Sequence, residues 1–472
     1  MGRPDPPATR SGQHLEILAE ADIVVVGGGP AGLAAAVAAG RTGAQVLLVE
    51  SGPALGGNLT LPGLPFLAVL DWSRRPVIAG VLQEFVERLI PLGGATPHYP
   101  CPKHLSVTPL DPEMVRCVAL DLAEAAGVGV LLHTQLVDVL GDGHRLQGLV
   151  VESKSGRAAI RGRVFVDATG DADLVARGGG AYEKGEAAAG GLQPMTLTFR
   201  LGDVVLDRLT DHLVAHPEDL NPIGRPAQRP YPVEHLRAYP RWTITGLAAL
   251  AAKAKAAGDF PPDLSYVNVC TLPRRGQVGI NAARVFRVDG TDVRDLTRAE
   301  REGRRKVLHL VRFFQRYVPG CEESTLLDMA PRIGVRETRR IHGQALLTGE
   351  DVRAARVFPD TVAQGIYPID IHSQDSSPSQ FVLLERPYTI PYRALLPRAP
   401  HNVIVAGRSI SADRVAFGSL RVMSHCMATG HAAGVAAGLA LRAADHPADI
   451  DVPELQARLA EQGALTGAPG AS

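Results

Sequence analysis

The chain has 472 residues, 45% of them hydrophobic, so it can bury sizeable cores in two or three domains and is not a disordered polypeptide. Its 49 basic residues balance 49 acidic ones, which leaves no global field to gather nucleic acid or an anionic membrane and points to a small neutral or mildly charged substrate. Five scattered cysteines, Cys101, Cys117, Cys270, Cys321 and Cys426, form no C-x-x-C pair and read as reduced thiols of a cytoplasmic protein.

Residues 1–20 are polar and lack the apolar stretch of a secretory signal, so they read as a flexible leader. Residues 22–26 form an Ile/Val-rich buried strand that runs straight into Gly27-Gly28-Gly29-Pro30-Ala31-Gly32. A helix of small residues follows to about residue 42. A second strand, 46–49, then closes on Glu50 and completes a strand-helix-strand unit. Residues 52 to about 110 are rich in Gly, Pro and Leu, show no clean period, and read as a loop-rich insertion. Helical spacing over 112–126 precedes four strands, 128–132, 136–140, 146–151 and 159–166. Gly141-Asp142-Gly143 and Ser155-Gly156 turn the later ones into a meander.

The first domain thus covers 21–177. Residues 178–397 change character, with Pro-rich turns and a long helix over 292–317, and read as a substrate or cap domain. A strand at 403–405 and a small-residue helix over 421–442 look like a return to the first domain, spanning 398–445. A tail, 446–472, contains a short helix over 452–462. The near-apolar run 428–441 is interrupted by His431 and too short for about 30 Å of hydrocarbon, so no membrane span is expected.

In the glycine turn, Gly27 permits the tight exit from the strand, Gly29 lets the backbone approach a pyrophosphate, and Gly32 lets the helix pack against the sheet. The helix N-terminus, with Pro30 and Ala31 in its first turn, presents N–H groups to phosphate, and Glu50 stands where an acid accepts from a ribose hydroxyl. A lone glycine-rich turn carries little weight, but here strand, turn, helix, strand and acid all occur in order. The turn does not separate FAD from NAD. A second such turn is missing, since Gly178-Gly179-Gly180 follows Ala176-Arg177 rather than a strand, and metal-ligand spacings are missing too.

Later motifs bear on that choice. Val166-Asp167-Ala168-Thr169-Gly170-Asp171, Arg336-Glu337-Thr338-Arg339-Arg340-Ile341, Tyr367-Pro368-Ile369-Asp370-Ile371-His372, Ile390-Pro391-Tyr392 and Ala406-Gly407-Arg408-Ser409-Ile410-Ser411 join the glycine turn. Together they resemble the bacterial FAD-dependent oxidoreductases of the glutathione-reductase-like superfamily, in the branch near fumarate reductases and thiazole-synthesis flavoproteins. The resemblance implies an α/β fold: a Rossmann-like FAD-binding domain with a parallel sheet and β-meander, plus an inserted α+β substrate domain, with the flavin ring between them.

The resemblance also implies FAD contacts beyond the turn. Ser51 adjoins Glu50, while Gly57 and Asn58 lie near the flavin or pyrophosphate. The backbone of Val137 meets the adenine, and Ala168, Thr169 and Gly170 join the site. Gly407 and Arg408 lie by the ribityl chain, where many relatives carry an acid in place of Arg408. Gly430 belongs to a helix beginning near Thr429 that aims at the pyrimidine edge.

Flavin performs the redox step, so the protein must orient a substrate and handle a proton. His372 is one candidate, because strand alternation puts it on the same face as Asp370; a strand histidine satisfied by a backbone carbonyl is the plainer reading. Arg336 is another. With Arg332 and Arg340 it shares one face of a helix at i, i+4 spacing, Arg339 and His342 extend the cationic segment, and together they suit a substrate carboxylate. A solvated basic face or pairing with Glu337 explains them equally well. Tyr388 and Tyr392 either donate a phenolic proton or pack with a satisfied hydroxyl, and Arg421 faces the substrate or forms a salt bridge. The expected catalytic set is His372, Arg336, His342 and Tyr392. The expected activity is hydride transfer between a small organic substrate and FAD, with no nucleic acid, membrane or metal, in a chain compatible with a homodimer. An RNA-modifying flavoenzyme would need a cationic surface, and a non-catalytic dinucleotide-binding protein would need no His and Arg constellation.

Overall fold

A computed structural model describes residues 8–10, 13–61, 66–73, 75–185, 191–221, 230–374 and 380–468. The first strand, β1 (Gln13–Val26), is fourteen residues long rather than five. Its early half alternates buried and exposed positions, and Leu15 and Ile17 pack with Val150 and Ala159 in a small cluster of their own. From residue 13 onward the expected flexible leader is therefore strand; its apolar residues recur at period 2 behind a polar average.

Helix α1 (Pro30–Gly40) leads from β1 to β2 (Val46–Val49). Further strands β3 (Gly129–Leu131), β4 (Gln135–Gly141), β5 (Leu146–Ser153) and β6 (Gly156–Asp167) complete a sheet ordered β4-β5-β6-β1-β2-β3, with a late strand, Val403–Val405, also against β6. The three strands β4, β5 and β6 form an antiparallel meander, whereas β6-β1-β2-β3 and Val403–Val405 run parallel. Val26, Val49, Asp167 and Val405 lie in register, so four strands end at one carboxyl edge, the edge where parallel sheets bind ligands.

The 52–110 segment is more ordered than a loop-rich insertion. It contains a helix, Val81–Leu89, and a three-stranded sheet of Phe66–Ala68, Tyr99–Cys101 and Leu105–Pro109; elements this short carry too few repeats for a period to stand out. Residues 62–65 and 74 lie outside the described chain.

The second core surrounds an antiparallel sheet of β7 (Met195–Gly202), β8 (Thr243–Gly246), β9 (Val267–Thr271), β10 (Val278–Val285) and β11 (Thr325–Met329), in the order β8-β9-β10-β7-β11. Helix α2 (Val293–Tyr317) covers one face through Leu310, Phe313 and Phe314. Asp292 is its N-cap, accepting from the amides of Arg294 at 2.7 Å and Asp295 at 3.2 Å.

Buried residues up to Ile333 belong to this second core, but from Ile341 onward they belong to the first. Within the segment expected to form the inserted domain, the short strands Thr361–Gly365 and Tyr388–Pro391 contribute to the first core, whereas Leu383 packs against the second. Helix α3 (Met423–Ala440) returns onto α1. Cβ atoms at Gly430 and Gly434 would overlap the carbonyl oxygens of Ala31 and Ala35, so glycine at i, i+4 sets how closely the two helices cross.

Candidate active site

The glycine turn sits at the carboxyl edge of the parallel strands. Gly27 has φ +97°, and Cβ atoms at Gly27 or Gly32 would overlap the carbonyl oxygens of Ala168 and Gly27. At Gly29 a Cβ would meet nothing within 4 Å. Two glycines are therefore demanded by the chain itself, and one faces space the chain does not fill. Helix α1 starts there with Pro30 at its first position and no side-chain cap, so its first N–H groups remain available to a ligand. The buried Glu50 carboxylate ends β2 and accepts from the amides of Gly28 and Gly52, each at 2.6 Å, and from the Ser51 hydroxyl at 3.1 Å. An open glycine, uncapped amides and a buried acid fit the diphosphate and ribose of a dinucleotide.

Other segments converge on the same edge. The Gly56 amide donates to the Gly28 carbonyl at 2.8 Å, Gly57 lies against Gly29, and Asn58 reaches a cavity beyond. Val137 falls where the β4–β5 register passes from Leu136 to Asp138, which takes it out of the ladder; its carbonyl accepts from Arg177 at 2.7 Å. Ala168 donates to Val26 at 2.9 Å, and Thr169 folds onto Asp167 ahead of Gly170. The Gly407 amide donates to the Thr429 hydroxyl at 3.1 Å. Arg408 bonds Asp171 at 2.6 Å and the Val335 carbonyl at 2.8 Å. The helix expected to begin near Thr429 begins at Met423, and Gly430 lies in its second turn, against Ala31.

A cavity of about 200 Å³ separates this edge from the second sheet, and Asn58, Arg408, Arg336, Asp370, His372 and Arg421 all line it. The His372 Nε2 is 3.3 Å from Asp370 Oδ2, and Arg421 donates to the same carboxylate oxygen at 3.2 Å. Burial would raise Asp370, but His372, Arg421 and Lys103 together hold it well below the usual carboxylate range. Burial pushes His372 down to about 4 against the pull of Asp370, so its ring is neutral at pH 7. Arg336 donates to the Pro194 carbonyl at 2.6 Å, to the Thr196 hydroxyl, and to Asn281 at 3.4 Å. Burial, with the like charges of Arg421 and Arg284, presses its pKa down to about 9, which leaves it a cation at neutral pH.

The other expected catalytic residues lie elsewhere. His342 is exposed, and Tyr392 is buried with its hydroxyl on the Pro447 carbonyl at 2.8 Å; neither lines the cavity. Tyr388 bonds the Ser419 hydroxyl at 2.8 Å. The expected helix through Arg332, Arg336 and Arg340 is absent: this stretch is irregular, ending in the strand Arg339–Ile341, because Pro331 and Gly334 break the pattern. Arg339 pairs with Asp173 and Arg340 with Glu337, leaving Arg336 alone of the four in the cavity. Sequence reasoning missed Lys103, His104 and the polar positions of β7 to β10, whose only trace is a Thr or Asn at alternate positions within apolar strands. Among the described residues there is no His/Cys/Asp/Glu group suited to a metal ion, and no helix is long and apolar enough to cross a membrane.

The buried histidines set a pH dependence of stability. Burial pushes His104 down to about 3, and His372, His425 and His431 to about 4, from an ordinary 6.5. Between pH 6.5 and 4 the unfolded chain binds protons at these rings that the folded chain refuses, which costs about 1.4 kcal/mol per ring per pH unit. Asp167 acts in the opposite sense, because burial holds its carboxyl up to about 6 and the folded chain keeps that proton longer. Four rings outweigh one carboxyl. The melting temperature is expected to stay level between pH 8 and 7 and to drop steeply between 6.5 and 4, as calorimetry across that range would show.

Comparison with known proteins agrees with the geometry. Residues 22–459 match the family model described as FAD dependent oxidoreductase. The chain is similar to a thiamine thiazole synthase of Aeropyrum pernix, 32% identical over 200 residues covering 40% of this chain and 67% of that protein. It is also similar to an NADH oxidase of Thermoanaerobacter brockii, 42% identical over 74 residues covering 15% of this chain and 11% of the relative. Among solved structures, a geranylgeranyl bacteriochlorophyll reductase-like protein from Thermoplasma acidophilum superposes with a TM-score of 0.46 at 13% identity, covering 94% of this chain and 84% of the other. A p-nitrophenol 4-monooxygenase from Pseudomonas putida gives 0.45 at 12% identity over 93% and 83%. With the dinucleotide turn, the ribose acid and the late glycine segment gathered at one sheet edge, and a family match that runs from β1 to the last helix, the chain belongs to the FAD dependent oxidoreductases and is an FAD-binding enzyme.

Proposed function

We propose that this enzyme transfers a hydride between a small organic substrate held in the cavity and the flavin of FAD, with His372 handling the proton and Arg336 binding the substrate. The observation that carries the reading is the Asp370–His372 pair, 3.3 Å apart, in the cavity that Asn58 and Arg408 also line. Bound flavin supplies the hydride acceptor or donor. In the oxidative direction the substrate loses a hydride from carbon and a proton from its oxygen or nitrogen. The neutral His372 ring receives that proton, and the ionised Asp370 beside it stabilises the imidazolium. Gly27, Gly29, Pro30, Ala31, Gly32, Glu50, Ser51, Gly57, Asn58, Val137, Ala168, Thr169, Gly170, Gly407, Arg408 and Gly430 are proposed as the residues that hold the cofactor.

Anaerobic mixing of the FAD-loaded enzyme with a panel of small alcohols, amines and acids, followed by flavin bleaching, tests this reading. His372→Ala is expected to slow bleaching by about 100-fold or more, the usual contribution of a positioned base. In the unsubstituted enzyme kcat/KM should stay flat from pH 8 to 5 and fall only toward pH 4, where His372 takes up a proton. A rate that His372→Ala leaves within a few-fold, or an acid limb centred at 6.5, would remove His372 from the proposed role.

A further inference from the structure

The face of the second sheet that closes the cavity carries a continuous row of hydrogen-bonding side chains. Thr198 on β7 stands opposite Asn281 on β10, Asn281 opposite Asn268 on β9, and Asn268 opposite Thr245 on β8. All four line the cavity. The adjacent row, Phe199, Ile280, Val269 and Ile244, belongs to the second core, with Val269 also bordering the cavity. At about 4.8 Å per strand the polar row spans about 14 Å, the length of a small extended molecule.

Cations flank it. Arg336 donates to Asn281, and the Lys103 ammonium donates to the Thr245 hydroxyl while lying 5.2 Å over the Phe381 ring. Among the described residues neither Arg336 nor Lys103 has a carboxylate within ion-pair distance, whereas Arg421 and Arg408 are paired with Asp370 and Asp171. The Thr198 hydroxyl, on a residue only 2% exposed, has no hydrogen-bond partner although it lines the cavity. A buried hydroxyl left unpaired costs free energy until a ligand satisfies it.

Building on the hydride-transfer reading, we propose that the substrate is a small polyhydroxylated carboxylate, its carboxylate held by Arg336 and its hydroxyls read by the row from Thr198 to Thr245. Guanidinium matches carboxylate, and a hydroxyl both donates and accepts, as Thr and Asn side chains require. A neutral polyol would leave Arg336 uncompensated. An alkyl carboxylate would leave the Thr198 hydroxyl unsatisfied, although Thr245, Asn268 and Asn281 already bond one another, Lys103 and Arg336. The class also fits the chemistry: at one hydroxyl-bearing carbon the C–H bond gives its hydride to FAD and the O–H proton passes to His372, leaving a carbonyl.

The test is a titration of the FAD-loaded enzyme with gluconate, threonate, glucitol and hexanoate, reading the perturbation of the flavin absorption bands. Gluconate or threonate is expected to bind at least tenfold more tightly than glucitol and than hexanoate. The isosteric Thr198→Val and the variant Asn268→Leu should each weaken the hydroxy acid several-fold to tenfold while leaving hexanoate unchanged, which also reports that the variants fold. Equal or tighter binding of glucitol or hexanoate, no perturbation by any of the four, or equal losses for hydroxy acid and hexanoate would each overturn the proposal. Bleaching by a neutral alcohol or amine that disappears in His372→Ala, without any preference for hydroxy acids, would overturn this substrate class and leave the hydride-transfer reading standing.

Discussion

Gly29→Leu is expected to yield a folded, colourless protein. A Cβ at this position meets no protein atom within 4 Å, so an added side chain starts into space the chain does not fill. The space it enters lies beside the uncapped N-terminus of α1, and Gly57 closes over Gly29 from the other side. A diphosphate must approach the main chain there to reach the N–H groups, and four added carbons bar it. Flavin content after purification should fall at least tenfold, equivalent to about 1.4 kcal/mol or more of binding. The circular dichroism and the melting temperature of the cofactor-free protein should match those of unsubstituted apoprotein. Gly32→Ala provides the contrast, because its Cβ would overlap the Gly27 carbonyl oxygen and the fold itself must give way. A Gly29→Leu protein that retains one FAD per chain would place the diphosphate elsewhere.

Arg340→Met is expected to destabilise the protein by about 3–5 kcal/mol, the range measured when one member of a buried ion pair is removed. Arg340 is 1% exposed and Glu337 is equally buried, with the guanidinium 2.8 Å from Glu337 Oε1. The same guanidinium also donates to the carbonyls of Ala412 at 3.0 Å and Gly185 at 2.8 Å, and to Glu183 at 2.9 Å. It therefore ties the strand Arg339–Ile341 to the segment after Gly407. Removing it strands the Glu337 carboxylate in the interior, still accepting from the Gln193 amide. The double variant Arg340→Met, Glu337→Leu should recover a large part of the loss in urea unfolding, whereas Arg332→Ala, at an exposed position, should change stability by less than about 0.5 kcal/mol.

These two sites mark what the sequence made legible. The glycine turn was legible because its geometry is local: strand, bend, helix and acid follow one another within thirty residues, and each residue type answers a requirement set by its neighbours. The meander was legible for the same reason. Arginine spacing between 332 and 340 misled, since i, i+4 periodicity implies a shared face only where the backbone is helical, and here each side chain is drawn to a partner distant in sequence. His342 and Tyr392 adjoin motifs that resemble the family, yet one ring points to solvent and the other hydroxyl to Pro447. His372 and Asp370 lie 3.3 Å apart, the same-side placement that two-residue alternation implies, although the strand itself ends at Ile371. The polar row was out of reach, for its four members come from strands joined only by long-range pairing. Arg408 finds its partner in Asp171, 237 positions away.

The redox ring of FAD is proposed to share the cavity of Arg336 and His372. Midpoint potentials of the bound flavin test it most directly, because a nearby cation favours the reduced, anionic ring. Arg336→Met should make the potential more negative by tens of millivolts, with ~30 mV corresponding to about 1.4 kcal/mol for a two-electron couple. Arg316→Met, on the exposed surface of α2, should leave it unchanged. Equal potentials in the unsubstituted enzyme and Arg336→Met would contradict the account.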